Sequence, residues 1–335
     1  MKKLRVCLAA SGGGHLRQLV QMLPFARKHD YYFLTEATPL GLSLAKDHPA
    51  RFVPHFAFGQ RETDGFLKFA WAGISNFFAS IWHFIVMRPD VVISTGAGAA
   101  FFTLVLAWAT RRKVIYIESI ARVESISMFG KLSARFADLY LVQWPGLVSQ
   151  HPKAVYCNPF CQSEAPAHAK AHKLFATVGT VLPFDRMINS VHQLMQEGVI
   201  TETVVAQTGE SDIAPEGIEV HKTLPQDDMD RHLKESGIAI VHGGSGSMLG
   251  AIRAGCAVIA MPRRHDLGEH YDDHQFELVG AFRDQGLVFE ARDVDSLREA
   301  IKAAREGKGK SVEIDPNAYA RFIEGFLEGK PPVQS

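Results

Sequence analysis

A glycine-rich run in the C-terminal third of the chain has the composition of an anion-binding loop. The run follows an apolar stretch, Ile238–Val241, and precedes a predicted helix over residues 247–254. Glycines let backbone N–H groups approach a bound anion, and the positive end of the following helix points at the same place. We therefore predict that this run, called the anion loop below, binds a diphosphate. Its residues are His242, Gly243, Gly244, Ser245 and Gly246.

A polar cluster follows further along the chain. Asp273, His274 and Gln275 stand where another helix is predicted to begin, and their side chains suit hydrogen bonding to sugar hydroxyls. A metal site is one alternative, because His270 and His274 are four residues apart and would share one helical face. A solvated loop is the other alternative. The basic stretch Arg263–His265 adds positive charge beside the anion loop.

A second glycine run, Ser11–Gly14, opens the chain and leads directly to His15. A neutral imidazole at a helix start can take a proton from a hydroxyl near neutral pH. Glu118 ends a predicted strand and is a second candidate for proton chemistry, with a salt bridge to Arg122 as the alternative. The small residues of Thr95–Gly98 follow another strand and allow close approach by a substrate. An ordinary strand-to-helix turn is the alternative for both glycine-containing segments.

These segments belong to an alternation of short apolar strands and helices, which predicts parallel sheets covered on both faces. The alternation breaks at residues 158–172, a stretch with Pro, Ala, Gln and His, and then restarts. We predict an α/β chain of two Rossmann-like domains that face each other across a cleft, with ligands at the carboxyl ends of the strands. The predicted parts are a first domain over residues 1–160, a linker over 161–172, a second domain over 173–315, and a helix and tail over 316–335 that pack back on the first domain.

The composition excludes several classes of function. The chain has 335 residues, of which 47% are hydrophobic and 21% charged, so it is globular rather than disordered. Basic and acidic residues are equal in number, 36 of each, so no net charge favours nucleic acid. The apolar run Val6–Ala10 is too short for a signal peptide and is better explained as a first strand.

An aromatic-rich segment, Phe66–Val86, indicates contact with a membrane surface. Polar residues such as Lys68, Asn76 and His83 interrupt it, so a helix in the membrane interface fits better than a spanning helix. A pair of core helices is the alternative. The aromatic residues predicted to meet the membrane are Phe66, Phe69, Trp71, Phe77, Phe78 and Trp82.

At these motifs the chain becomes similar to a known pair of proteins. The first half resembles the acceptor-binding, membrane-anchoring subunit of the eukaryotic two-subunit UDP-GlcNAc transferase of dolichol-linked oligosaccharide synthesis, and its bacterial exopolysaccharide relatives. The second half resembles the catalytic, donor-binding partner subunit, so the chain resembles a fusion of the two. The matching stretches are Ser11–His15, Pro89–Gly98, Tyr116–Ser119, Gly130–Leu132 and Ala137–Pro145 in the first half, and Thr177–Thr180, Pro183–Arg186, Gln207–Gly209, His242–Gly246 and Gly268–Gln275 in the second.

The resemblance implies a GT-B fold and an inverting transferase that uses a UDP-sugar and a polyprenyl-diphosphate-linked acceptor. It implies no metal or cofactor, because helix dipole and backbone donors stabilise the departing UDP. By resemblance, the donor loop corresponds to Gly243–Gly246 and the sugar contacts to Glu269, Asp273, His274 and Gln275. The residue chemistry described above makes His15 the candidate base, with Glu118 assisting it or orienting the acceptor. The donor-binding residues predicted from both arguments are Thr180, His242, Gly243, Gly244, Ser245, Gly246, Arg263, Glu269, His270, Asp273, His274 and Gln275, and the acceptor-binding residues are Gly13, Gly14, Thr95, Gly96, Gly98 and Arg122.

One position departs from the family. A Glu that holds the ribose hydroxyls usually stands five residues before Gly255, and here that position is Gly250. Ribose recognition is therefore shifted elsewhere or weaker. The spanning segment that usually precedes the first domain is also missing, which leaves Phe66–Val86 as the docking element.

Fused bacterial relatives in exopolysaccharide pathways commonly move glucuronic acid onto lipid-linked glucose. We therefore expect a glucuronosyltransferase forming a β-1,4 linkage, with Arg263, Arg264, His265 and His270 receiving the carboxylate. Transfer of GlcNAc or galactose is the first alternative, and a UDP-sugar-binding accessory protein or a UDP-sugar epimerase is the second. We expect a peripheral protein on the cytoplasmic face of the inner membrane. Self-association and exopolysaccharide-assembly partners stay open.

Overall fold

The computed structural model describes residues 2–56, 66–162, 171–179, 182–270, 273–306, 312–315 and 317–330. The chain divides into two compact units. The first unit comprises Met1–Pro159 and Asp315–Ser335, and the second comprises Phe160–Ile314.

The first unit is built on a parallel sheet of seven strands in the order β3-β2-β1-β4-β5-β6-β7. Its central strands are apolar runs with both faces covered, and every residue of Val91–Gly96 is buried. The strands are β1 Arg5–Ala10, β2 Asp30–Thr35, β3 Ala50–Phe52, β4 Val91–Gly96, β5 Lys113–Ile117, β6 Leu139–Val142 and β7 Ala154–Tyr156.

Helices cover the sheet of the first unit, and the last helix of the chain is one of them. Its residues Tyr319 and Ile323 lie in the same apolar core as Val6 and Phe25, and Lys28 forms an ion pair with Glu324 at 2.6 Å. The helices are α1 Gly14–Leu19, α2 Leu23–Ala26, α3 Pro39–Asp47, α4 Phe66–Met87, α5 Phe101–Ala109, α6 Met128–Ser133 and, at the end of the chain, α12 Ala318–Leu327.

The second unit repeats the plan with a parallel sheet in the order β11-β10-β9-β12-β13-β14 and a separate antiparallel pair, β8 and β15. The strands are β8 Phe160–Gln162, β9 Ala171–Thr177, β10 Thr203–Gln207, β11 Ile218–His221, β12 Ser236–His242, β13 Ala257–Met261, β14 Phe289–Glu290 and β15 Val312–Ile314. The helices are α7 Asp185–Gln196, α8 Gln226–Glu235, α9 Ser245–Arg253, α10 His274–Asp284 and α11 Val294–Arg305.

The prediction of an α/β chain with two parallel sheets is confirmed, and some element bounds differ from the pattern. The apolar pattern of residues 15–28 predicts one helix, but in the structure this segment consists of α1, a 3-10 turn and α2, and Pro24 lies at the start of α2. Pro24 has no N–H to donate within a continuous helix, which accounts for the break. Strand β9 begins at Ala171, inside the stretch predicted as a linker.

Each glycine loop lies where the strand order of its own sheet reverses. In the first sheet the reversal falls between β1 and β4, and in the second between β9 and β12. Open parallel sheets bind ligands beyond the carboxyl ends of the strands at this reversal point. The topology of each unit therefore places its glycine loop at a ligand-binding edge.

Candidate active site

His15 lies in the first turn of α1 with its ring fixed from one side. Its Nδ1 is 2.7 Å from the carbonyl oxygen of Thr95, and the Thr95 hydroxyl donates to the backbone oxygen of His15 at 2.7 Å. Because a carbonyl oxygen only accepts, Nδ1 must carry the proton, which leaves Nε2 with a free lone pair. Burial lowers the pKa of His15 below its ordinary value, so the ring is neutral at physiological pH. A neutral imidazole with an unprotonated Nε2 can accept a proton from a hydroxyl.

The turn after β4 is joined to the N-terminal glycine loop, Ser11–Gly14. The backbone N–H of Ser11 donates to the Gly96 oxygen at 3.0 Å, and the Ser11 hydroxyl accepts from the Ala99 N–H at 3.2 Å. Gly96 has a positive φ of 94°, and a Cβ there would lie 3.4 Å from the His15 ring. The small residue at this position therefore leaves room for the His15 ring, and close approach by a substrate stays a prediction.

Glu118 is completely buried, and hydrogen-bond donors surround its carboxylate. Oε1 accepts from the Ser119 N–H at 2.9 Å and the Ser127 hydroxyl at 2.8 Å. Oε2 accepts from the Tyr140 hydroxyl at 2.6 Å and the Ser127 N–H at 3.3 Å. A carboxylate with four protein donors holds its loop in place and has no free lone pair facing a substrate hydroxyl. The arrangement therefore disagrees with Glu118 as an alternative base.

The other residues predicted to bind the acceptor lie around the same edge of the first sheet. Gly13 and Gly14 are exposed, and a Cβ on either would meet nothing within 4 Å, so their backbone faces open space. Arg122 is exposed and its charge lowers the pKa of His15, which places the guanidinium within electrostatic reach of the ring. Gly98 is buried at the start of the turn before α5.

Sequence reasoning missed an acid and a histidine at this edge. Glu36 follows β2, is 5% exposed, and accepts from the Gly12 N–H at 2.9 Å and from Nδ1 of His55 at 2.7 Å. The signal was available, because Glu36 stands at the end of a predicted strand as Glu118 does. No sequence signal indicated His55, which is brought to Glu36 by the tertiary structure.

In the second unit, the anion loop is arranged around the ring of His242. The Gly244 N–H donates to the His242 oxygen at 2.7 Å, and α9 begins at the next residue. A Cβ on Gly179 would lie 2.7 Å from the His242 ring, and a Cβ on Gly244 would come closer still, so both positions require glycine. Burial and the charge of Arg263 lower the pKa of His242 to about 4, so this ring is neutral.

Arg263 and Glu269, both predicted to contact the donor sugar, are engaged within the protein. The buried Arg263 guanidinium donates to the carbonyl oxygens of Val178 and Leu182, each at 2.6 Å. The Glu269 carboxylate accepts two hydrogen bonds from Arg186, at 2.8 and 2.7 Å. These two bonds, both from one terminal nitrogen, direct Arg263 at backbone carbonyls that link the strand-end loops, which weakens the prediction that it receives a sugar carboxylate.

The remaining predicted donor residues have different surroundings. Gln275 is buried, accepts from the Arg263 N–H at 3.1 Å, and would touch a Cβ placed on Gly243. Asp273 is exposed and accepts from the His265 N–H at 3.2 Å. His270 is half-buried, and its charge contributes to the lowered pKa of His242. Ser245 and Gly246 form the first turn of α9, and Thr180 and the side chain of His274 lie outside the described residues.

Among the described residues, one group of side chains has the spacing of a metal site, namely Glu219, His221 and His232. It lies at the end of β11 and on α8, away in sequence from the His270–His274 pair proposed as an alternative metal site. The ammonium of Lys173 is 3.2 Å from Nδ1 of His232, so positive charge already occupies this cluster. The arrangement is unfavourable for a cation.

Helix α4 presents aromatic rings on one face and buried polar groups on the other. Trp71, Phe78 and Trp82 are 72%, 64% and 65% exposed, and their spacing puts them on a common face. Asn76 is fully buried on the opposite face and donates to the Pro54 oxygen at 2.7 Å. One side of the helix is therefore fixed to the unit and the other is open.

The other residues predicted to meet a membrane differ from one another. Phe77 is 38% exposed. Phe69 packs inward against Phe56, with ring centroids 5.3 Å apart, so the prediction that Phe69 faces a membrane is not supported. The side chain of Phe66 lies outside the described residues. Within the described residues, the segment Lys68–Met87 is long and apolar enough to cross a membrane, although core helices can have the same composition.

Comparison with known proteins finds one family match in each half of the chain. Residues 61–160 match the family described as Oligosaccharide biosynthesis protein Alg14 like, and residues 173–324 match Glycosyltransferase family 28 C-terminal domain. The UDP-N-acetylglucosamine transferase subunit ALG14 of Mus musculus is 27% identical over 178 residues, which are 46% of this chain and 82% of the relative. The Homo sapiens protein of the same name is 25% identical with the same coverage of both chains.

Solved structures share the fold at low sequence identity. MurG of Acinetobacter baumannii superposes with a TM-score of 0.62 at 14% identity, over 97% of this chain and 99% of that one. The glycosyltransferase SnogD from Streptomyces nogalater gives a TM-score of 0.60 at 19% identity, over 99% and 97%. A putative UDP-N-acetylglucosamine 2-epimerase from Listeria monocytogenes gives 0.67 at 12% identity, over 100% and 99%.

The fold is that of the GT-B class, as the motifs predicted, and glycosyltransferase activity is the class of function that the matched families support. Within that class, the chain combines an Alg14-like region with a region like the C-terminal domain of glycosyltransferase family 28. The resemblance to a fused transferase is confirmed to this extent. The narrower resemblance to bacterial glucuronosyltransferases has no support from these matches.

Proposed function

We propose that the chain is an inverting glycosyltransferase that moves a sugar from a UDP-sugar to a polyprenyl-diphosphate-linked acceptor. The observation that carries this proposal is the presence, on one chain, of an Alg14-like region and a glycosyltransferase-type C-terminal region. The neutral imidazole of His15 supplies what the first region needs for the reaction, a base with a free Nε2. The Alg14-like relatives are named as subunits of a UDP-N-acetylglucosamine transferase.

In this proposal the two loops have separate tasks. Nε2 of His15 takes the proton of the acceptor hydroxyl as that oxygen attacks the anomeric carbon of the donor. The anion loop and the start of α9 bind the diphosphate and stabilise the charge that develops on the departing UDP. The buried Arg263 bridges the loops after β9 and β13 and keeps this cradle rigid.

For the donor we propose UDP-GlcNAc in place of the glucuronic acid donor expected from the sequence. Glucuronic acid was expected from the resemblance to fused bacterial relatives, with basic residues receiving its carboxylate, and the family matches support an Alg14-like transferase without that narrower resemblance. Arg263 is occupied by backbone carbonyls, and Arg264 forms an ion pair with Asp266 at 2.5 Å. Glucuronic acid therefore becomes the second candidate, and a role in exopolysaccharide synthesis remains a prediction.

The open face of α4 supports docking at a membrane interface, with the bound acceptor lipid in that membrane. Tryptophan and phenylalanine rings suit the headgroup region, and the opposite face is fixed to the unit by Asn76. Vesicle flotation tests this proposal. Combined replacement of Trp71, Phe78 and Trp82 by Ser should reduce the fraction of protein bound to vesicles. Replacement of the inward-facing Phe69 by Ser is the control and should leave that fraction unchanged. Equal flotation of the triple variant and the wild type would contradict the proposal.

Donor-dependent turnover tests the activity itself. Short-chain prenyl-diphosphate acceptors bearing GlcNAc or glucose would be incubated with UDP-GlcNAc, UDP-GlcA, UDP-Gal and UDP-Glc, each with and without EDTA. Product from UDP-GlcNAc supports the proposal, and product from another donor keeps the reaction class and replaces the sugar. UDP binding without any product favours an accessory protein.

An epimerase is the second candidate, because the Listeria monocytogenes structure has the same fold. An epimerase needs no lipid acceptor and would convert UDP-GlcNAc in its absence. Formation of an epimeric UDP-sugar without acceptor distinguishes this candidate from a transferase.

A further inference from the structure

One buried carboxylate in the first unit connects the N-terminal glycine loop to a histidine on a different segment. Glu36 is 5% exposed, and its Oε2 accepts from the Gly12 N–H at 2.9 Å while Oε1 accepts from Nδ1 of His55 at 2.7 Å. A Cβ at Gly12 would lie 3.3 Å from the same carboxylate, so the loop approaches Glu36 closely. The position of His55 is thus set relative to the loop that leads to His15.

His55 differs from His15 in its exposure. Its side chain is 56% exposed, whereas that of Glu36 is 7% exposed. Since Nδ1 is engaged by Glu36, the nitrogen available to a ligand is Nε2. A carboxylate behind an imidazole fixes the orientation of the ring, so His55 presents a preorganised, accessible Nε2 on the same carboxylate that the Gly12 N–H contacts.

The residues on either side of His55 are both attached to α4. The Pro54 oxygen accepts from the buried Asn76, and the Phe56 ring packs on Phe69 and would touch a Cβ placed on Gly73. His55 therefore lies between the helix with the open aromatic face and the loop that leads to the proposed base. A lipid-linked acceptor enters from a membrane with its diphosphate at the headgroup level, before its sugar.

We propose that His55, held by Glu36, binds the diphosphate of the lipid-linked acceptor. This assignment rests on the proposed function. In it, the imidazoles of His55 and His15 both contact the acceptor but have different tasks. Nδ1–H donates to Glu36 and Nε2–H donates to a phosphate oxygen, so the bound ring carries both protons and is a cation between two anionic groups. His15 then acts only on the sugar hydroxyl. The structure thus separates recognition of the lipid diphosphate from proton transfer.

Calorimetric titration of the full chain with farnesyl diphosphate tests the binding step. Saturating UDP fills the anion loop in this titration and in the pyrophosphate titration, because that loop is also proposed to bind a diphosphate. The His55→Ala variant should bind about tenfold to a hundredfold more weakly than the wild type, as expected for loss of one charge-assisted hydrogen bond. The control is His172→Ala, because His172 is also exposed and has a hydroxyl partner, Thr201, but lies at the start of β9 in the second unit. Affinity for UDP should be equal in all three proteins.

Inorganic pyrophosphate separates the diphosphate from the lipid. Pyrophosphate should bind the His55→Ala variant more weakly than the wild type by a similar factor. Unchanged pyrophosphate binding, with weaker farnesyl diphosphate binding, would mean that His55 contacts the prenyl chain and would overturn the proposal. Glu36→Gln keeps the size of the side chain and should weaken both ligands less than His55→Ala does.

Turnover data distinguish this inference from the proposed function. If the wild type is active, His55→Ala should raise KM for the acceptor and leave kcat and the donor KM near wild type. A loss in kcat with unchanged acceptor KM would make His55 a proton-transfer group and overturn the proposal. If the wild type binds farnesyl diphosphate through His55 but transfers no sugar, the inference survives and the proposed function fails.

Discussion

The two glycine loops have the same local plan, strand to glycines to helix, and yet their histidines lie in different environments. In the first unit, His15 follows the glycines, its Nδ1 is fixed by Thr95, and acids stand nearby at Glu36 and Glu118. In the second unit, His242 precedes the glycines, is enclosed by Gly179 and Gly244, and lies near the cation Arg263.

This difference separates proton chemistry from anion binding. Both rings are neutral, because burial lowers the pKa of each. At His15, the hydrogen bond to Thr95 and the charges of Glu118 and Glu36 oppose the effect of burial on the pKa. At His242 the charge of Arg263 adds to the burial effect, so this ring resists protonation and keeps the loop packed. The difference predicts a base in the first loop and an anion cradle in the second.

The largest expected difference between the two loops is the effect of replacing their histidines on kcat. His15→Ala should lower kcat on the order of 10²–10⁴-fold, because general base catalysis is lost, with little change in the KM of the UDP-sugar. His242→Ala should act mainly on the donor KM. Steady-state kinetics of both variants measure this, and near-normal kcat for His15→Ala would remove the base assignment from the first loop.

A smaller effect on donor use is expected when a methyl group is added to a glycine in each loop. Gly244→Ala places a methyl group into the His242 ring, so the anion loop must shift and kcat/KM for the donor should fall on the order of 10²-fold. Gly14→Ala meets nothing within 4 Å and should leave UDP affinity at the wild-type value. Titration with UDP provides the direct check, and equal UDP affinity of the Gly244 and Gly14 variants would mean that the second loop does not bind the diphosphate.

The smallest effect concerns the dependence of stability on pH. The pKa of His242 is lowered to about 4 in the native state, whereas the unfolded chain takes up this proton near pH 6.5. The native state therefore binds fewer protons in this window, and stability falls as pH decreases from 6.5 towards 4. His242→Gln should make urea midpoints less dependent on pH over this range, and parallel curves for variant and wild type would contradict the lowered pKa.

Several local features followed from the sequence because they depend on neighbours along the chain. Apolar spacing along the chain predicts helices over residues 294–305 and near 318–327. The structure has α11 at Val294–Arg305 and α12 at Ala318–Leu327, because apolar spacing and caps are local properties. Both glycine runs were recognised because the close backbone approach that glycine permits leaves a compositional signal. The alternation of strands and helices predicted the parallel sheets for the same reason.

The partners of the site residues could not be predicted in this way. Glu118 and Arg263 were selected as polar residues near strand ends. Only the folded structure shows that Tyr140 and Ser127 donate to Glu118 and that Arg263 donates to backbone carbonyls. A polar residue at a strand end has the same sequence signal whether its donors meet protein or solvent. Burial decides which of these occurs, and burial depends on distant segments.

The sequence by itself determined the α/β alternation, the two glycine loops and the histidines beside them, because each is encoded within a dozen or so neighbouring residues. The tertiary structure alone brought His55 to Glu36, fixed Nδ1 of His15 on Thr95 and turned one face of α4 outward. These contacts join residues from about 20 to 80 positions apart, such as the 80 between His15 and Thr95. Such pairs form only when the sheet assembles, so no local pattern can encode them.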